Sequence, residues 1–190
     1  MKTELQLTAF RFRLGETTAY TLKQLAEELI NEDVVTDDLI KIAYVCEDSL
    51  EEIGPHFEKV IRELKVDAPK DRSELVWSVL KYFIREIAER RIPPRKGLHG
   101  LIEMAYHGLS EQFSVTEYVG DSHGIQNLYG SFYSYDDLEE RPTECSIGGF
   151  YGLEAFPKLD EHVIQECKKW LKKRSEQIAS HNSGGCAPYV

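Results

Sequence analysis

The 190-residue chain contains no apolar run approaching the ~20 residues that a membrane-spanning helix needs. Its opening, MKTELQLT, puts an acidic side chain where a secretory signal would carry its apolar segment. Both absences predict a cytoplasmic protein that does not enter a membrane. Closely spaced cysteines are also missing. Cys46, Cys145, Cys167 and Cys186 are scattered with no C-x-x-C pair, which argues against a disulfide scaffold or a cysteine-ligated zinc site and predicts free thiols. Cys186 lies five residues from the end, one place away from a prenylation box. Positive charge is in short supply: 23 lysines and arginines face 33 acids, for a net charge of −10. That balance opposes nucleic-acid binding, whose footprint is basic. Internal repeats and long low-complexity tracts are absent as well.

Catalytic signatures are equally sparse. The chain has no H-E-x-x-H, no E-x-x-H pair of the di-iron kind and no G-x-S-x-G elbow. Residues 21–43 resemble a helix-turn-helix in outline. The would-be recognition helix opens Thr36-Asp37-Asp38, however, and two carboxylates facing phosphates repel them.

What the chain does have is helical periodicity. Residues 71–91, DRSELVWSVLKYFIREIAERR, carry apolar side chains over well over half of a helix circumference. A helix apolar on so many sides needs several elements to cover it. Asp71 and Glu74 supply a capping-box start, and Ile92-Pro93-Pro94 supplies the stop. Before it, Thr21 with Gln24 opens a helix burying Leu22, Leu25, Ala26, Leu29 and Ile30. Thr36 caps another, with Leu39, Ile42, Ala43 and Cys46 inward. Pro55 begins a third, on Phe57, Val60, Ile61 and Leu64. Residues 97–109 and 160–180 give two more helices. Trp77 and Trp170, each inside an apolar pattern, are expected in the core.

Two stretches depart from this pattern. Residues 4–14, ELQLTAFRFRL, alternate apolar with polar, slipping phase at Ala9-Phe10, and predict a strand with a bulge. Residues 113–156 are rich in aromatics and glycine and predict an irregular or α+β segment. Within it a strand is possible at 114–119, and Gly130 weakens a helix at 127–135. The expected architecture is therefore mainly α: a multi-helix bundle around one central apolar helix, with an N-terminal strand and a small aromatic segment. Residues 1–180 form one domain, with the bundle core at 21–110, and residues 181–190 form a flexible tail.

Among candidate sites, His99, Glu103 and His107 share a helix side at four-residue spacing. Each step rises about 6 Å, so the two histidines stand about 12 Å apart and cannot hold one metal together. All three also face away from the Leu98, Leu101, Ile102 and Ala105 stripe, as a solvated face does. Residues 120–124, GDSHG, gather serine, histidine and aspartate in one loop, but neighbouring side chains diverge and make no triad. His123 is the best single catalytic candidate there. The basic group Arg90, Arg91, Arg95 and Lys96 fits a helix-end cluster. No metal or other cofactor is expected.

The acids are grouped. Glu27, Glu28, Glu32, Asp33, Asp37 and Asp38 lead a belt continued by Glu47, Asp48, Glu51 and Glu52, opposed locally only by Lys23 and Lys41. The first six are the expected partner-binding residues of an acidic, non-enzymatic interaction protein: an inhibitor, antitoxin-like or immunity-like partner of a basic protein. The alternative is a small hydrolase or metal-dependent enzyme using histidines from residues 99–107 and 120–124.

Overall fold

The alternating residues 4–14 belong to a helix, not a strand: α1 spans Lys2–Leu14. Leu5, Thr8 and Ala9 are buried and Phe12 is half-buried, which is the i, i+3, i+4, i+7 spacing of one helix face. The phase slip at Ala9-Phe10 is what a 3.6-residue period does to an apparent alternation. The structure, a computed structural model, describes residues 2–113 and 121–183. The expected strand at 114–119, Cys186 and residues 184–190 of the expected tail lie outside the described residues.

The chain divides into two compact units, Met1–Val79 and Leu80–Val190. In the first, α1 packs on α2 (Ala19–Asn31), and α2, α3 (Asp37–Tyr44) and α4 (Leu50–Glu63) pack on one another. The cap of α2 is Thr18, three residues before the expected Thr21, whose backbone N–H donates to Thr18 Oγ1 at 3.2 Å. Thr36 caps α3 as expected, accepting from the Leu39 N–H at 3.1 Å. The inward stripes of these helices, Leu22, Leu25, Ala26 and Leu29 with Leu39, Ile42 and Ala43, are all buried. Cys46 is buried beyond the end of α3, where removal from water raises its thiol pKa.

Pro55 does not begin α4. It lies inside that helix, after Gly54. Proline at this sixth position forfeits the backbone bond to the Glu51 carbonyl, and in a helix interior costs about 3 kcal/mol, against ~1 for glycine. Burial of Ile53, Phe57, Val60 and Ile61 and the edge-on Phe12–Phe57 contact at 5.2 Å hold the helix together through this pair. An ion-pair latch adds to it. The Arg13 guanidinium forks onto the Glu58 carboxylate, one arm at 3.0 Å, while its Nε–H donates to the Ala68 carbonyl at 2.8 Å.

Helix α5, Arg72–Ala88, begins where the capping pattern puts it, with Asp71 Oδ1 accepting from the Glu74 N–H at 3.0 Å. Leu75, Val76, Val79, Leu80, Phe83, Ile84, Ile87 and Ala88 are buried along it. Trp77 is only half-buried, contrary to expectation, because it stands beside Ser78 at the edge of the apolar arc. The helix ends before the two prolines: Arg90 turns left-handed, at φ 59°, and the Arg91 N–H reaches back to the Glu86 carbonyl. Asp33 and Lys65 end α2 and α4 in the same way.

In the second unit α6 (Pro94–Leu101) continues as one π-helical stretch, Ile102–His107. It meets the C-terminal half of α5 through glycines. A Cβ at Gly97 would overlap the Ile87 side chain, and one at Gly100 the Phe83 ring. Helix α7, Gln126–Glu140, replaces most of the expected irregularity of the aromatic segment. Gly130 sits in it with open space around it and costs only propensity. Strands β1 (Ser146–Ile147) and β2 (Phe150–Tyr151) pair antiparallel, Ser146 opposite Tyr151. Gly148 and Gly149, both at positive φ, make the two-residue turn between them. The segment is thus the α+β alternative.

Helix α8, Phe156–Ser183, takes Pro157 into its first turn, where a missing N–H is harmless. It packs on α6 and α7 through Leu159, Val163, Ile164 and Cys167. Burial pushes the Cys167 thiol up to about 12. Trp170, expected in the core, is half-buried and donates its indole N–H to the His123 carbonyl at 2.9 Å.

Candidate functional site

The acidic group is built by the helix wheel of α2 and by the connection to α3. With Leu22, Leu25, Ala26 and Leu29 turned inward, Glu27 and Glu28 must face out, and both are exposed. Glu32 follows at the end of α2, and Asp33 adopts its left-handed conformation at φ 62°, which a short polar side chain tolerates. Asp37 opens α3 on the outside, in a first turn that favours a negative charge. Glu32, Asp33 and Asp37 are likewise exposed.

Asp38 is a correction. One residue on from Asp37, about 100° round the helix, it turns toward α4 and is only 6% exposed. Its Oδ1 lies 2.5 Å from His56 Nδ1 and 3.5 Å from Lys59 Nζ. An ionised carboxylate only accepts, so the His56 proton sits on Nδ1. The hydrogen bond from His56 holds the Asp38 carboxyl below its usual range, against its own burial and with help from Lys59 and Lys41. Asp38 ties α3 to α4 and is not available to a partner.

The sign of the pH effect follows from that lowered pKa. The stabilisation is complete above the unfolded-state value near 3.9 and is lost as pH falls through the still lower folded value. Asp38→Asn is therefore expected to lower stability by about 1–3 kcal/mol at pH 7, toward the lower end because His56 and Lys59 remain partly in water. The difference from wild type should be narrower at pH 3 than at pH 7, because protonation begins to remove from the wild type what the asparagine already lacks. Urea unfolding at the two pH values measures it, and equal stabilities at pH 7 would make the tie incidental.

Exposed apolar side chains lie between and just after these acids along the chain. Val35 is 58% exposed, Ile40 40%, Tyr44 65% and Val45 69%. The signal was present: Asp37, Ile40, Lys41 and Tyr44 follow i, i+3, i+4, i+7 on the side of α3 opposite Leu39, Ile42 and Ala43. Beyond α3 the belt is partly spent locally. Lys23 pairs with Asp48 at 2.7 Å, and Glu52 accepts from the Glu47 backbone N–H at 2.9 Å.

In the second unit His99, His107 and His123 meet one network of aromatic rings. His99, Glu103 and His107 are exposed, and the π-helical winding breaks the α-helical step between the last two. His99 stacks at 6.2 Å on Phe132, and His107 lies edge-on to Tyr106 at 5.5 Å. His123 is half-buried against Phe113 at 4.4 Å, with its Nδ1 2.9 Å from Ser122 Oγ. Burial, then Arg174, lowers its pKa. Tyr106 links these rings through Phe113 and Tyr129. The Tyr129 hydroxyl lies 3.0 Å from that of Tyr133, and this bond, then burial, raises the Tyr129 pKa. Among the described residues, no group of three or more histidine, cysteine or carboxylate side chains is placed to hold a metal ion.

Three members of the basic cluster are paired within their own unit. Arg90 pairs with Glu161 at 2.5 Å, Arg91 with Glu86 at 2.5 Å, and Arg95 forks onto Glu139, one arm at 2.8 Å. Among the described residues no helix is long and apolar enough to cross a membrane. No family model, no curated protein and no solved structure matches this chain.

Proposed function

We propose that the chain is a non-enzymatic, cytoplasmic interaction protein that docks a basic protein, as an inhibitor, antitoxin-like or immunity-like partner does. The observation that carries this reading is the outer surface of α2 and α3. Glu27, Glu28, Glu32, Asp33 and Asp37 are exposed there together with Val35, Ile40 and Tyr44. Protein interfaces combine an apolar or aromatic centre, which supplies the burial, with charges that select the partner and speed encounter. Acids alone would be met by solvent and salt. Acids around exposed aliphatic and tyrosine side chains suit a basic surface that carries apolar groups of its own.

The enzyme reading has less to stand on. His99 and His107 lie exposed, and each meets an aromatic ring, Phe132 and Tyr106 respectively. A pull-down from the native cytosol, run at about 50 and 500 mM salt with the eluates identified by mass, tests the docking reading. It should retain one basic protein at low salt and lose most of it at high salt, where the Debye length falls below about 5 Å. Retention of acidic proteins only, or of none, would refute it.

A further inference from the structure

A groove of about 760 Å³ runs between the end of α1, the middle of α4 and the segment that leads into α5. Its size is that of a small-molecule site. Phe12, Ile61, Ala68 and Pro69 make its apolar walls, while Arg13, Lys59, Arg62 and Lys70 bring four cations to its lining against the carboxylate of Glu58 and, behind Lys59, that of Asp38. In a chain of net charge −10 this is a local reversal of sign. Arg13 is the fixed cation of the set: its side chain is 9% exposed, and its fork and Nε–H are held by Glu58 and Ala68. That leaves two of its five N–H groups for other acceptors. Lys70 stands over the same carboxylate at 3.3 Å and is itself largely exposed. Arg62 is exposed at the rim.

A second observation comes from the backbone. Gly54 lines the groove in the interior of α4, next to Pro55, where neither residue helps the helix form. Its backbone needs no glycine, because it is helical. Its surroundings need none either, since an added Cβ would meet only the Phe12 ring edge, at 3.6 Å, an ordinary contact. The fold therefore gives no reason for a glycine at this position. A methyl at Gly54 would instead take up lining space beside that ring edge.

We propose that this groove binds a small amphipathic organic anion, its apolar body against Phe12 and Ile61 and its carboxylate or phosphate head among Arg62, Lys70 and the spare N–H groups of Arg13. The site is separate from the acidic surface, and its fate does not depend on the docking reading.

Titration calorimetry of the full chain with octanoate and octyl phosphate tests it, with octanol and inorganic phosphate as the two halves of the probe. At least one amphiphile should bind saturably, about tenfold or more tighter than either half; the stronger of the two identifies the head. The double variant Arg62→Gln/Lys70→Gln should weaken that binding at least about tenfold with an unchanged thermal midpoint, since both side chains are exposed. Gly54→Ala should also weaken it while raising the midpoint, because alanine favours the helix. Saturable binding to neither amphiphile at about 5 mM would overturn the proposal. So would inorganic phosphate or octanol binding as tightly as the whole probe, or amphiphile affinity unaltered in the double variant.

Discussion

Replacing Ile84 by alanine is expected to lower stability by about 2–5 kcal/mol, among the largest effects available to a single substitution in this chain. Ile84 is fully buried, and so are Leu80 one turn before it and Ile87 one turn after. Rigid helical neighbours close such a cavity poorly, so the lost transfer energy and the cavity term add. Against a total stability of about 5–15 kcal/mol the loss is severe. Urea unfolding with the slope held in common gives the number. A change below about 1 kcal/mol would mean that α5 is not packed as described. Trp77→Ala should cost less than its size suggests, because Trp77 is half-buried and much of its indole already meets water.

That ordering shows what the sequence makes legible. The apolar arc of α5 has the 3.6-residue period over five turns, and no other element satisfies it. The caps at Thr36 and Asp71 were equally readable, since their residue types have few other uses at a helix start. Failures came where local and tertiary preferences disagree. α1 looks like a strand over 11 residues because leucine alternates with polar residues at 4–7 and phenylalanine with arginine at 10–13. Only the packing of Leu5, Thr8, Ala9 and Phe12 decides the period. Gly54-Pro55 and Gly130 oppose helix locally, and burial around them overrides the cost.

The candidate site divides along the same line. Glu27 and Glu28 were fixed by the stripe of α2, but Asp38 was not, because a carboxylate in the first turn of a helix is normally solvated. Its burial depends on His56 and Lys59, eighteen and twenty-one residues further on, and no pattern within α3 announces them. Ile40 and Tyr44 were readable as part of an outward stripe of α3, whereas Val35 precedes the Thr36 cap and has no helical register to place it.

The second large effect expected is kinetic. Reversing Glu28, Glu32 and Asp37 to lysine in one triple variant should slow association with a basic partner roughly 10–100-fold at low salt. All three side chains are exposed, and none is part of the Asp38–His56–Lys59 tie. The fold should therefore tolerate the change. The chief structural cost is a lysine in the first turn of α3, where the helix dipole favours an acid, and it amounts to about 0.3–1 kcal/mol. Asp38 is left out of the variant because its reversal would place a cation beside Lys59 and confound binding with unfolding. The rate defect should shrink as salt rises, since screening shortens the field that steers encounter. Dissociation should change less, because Val35, Ile40 and Tyr44 stay in place to hold the bound state. Stopped-flow association at about 20 and 500 mM salt separates these terms. Equal low-salt association rates for wild type and the triple variant, with thermal midpoints also equal, would reduce the α2–α3 acids to a solvated surface.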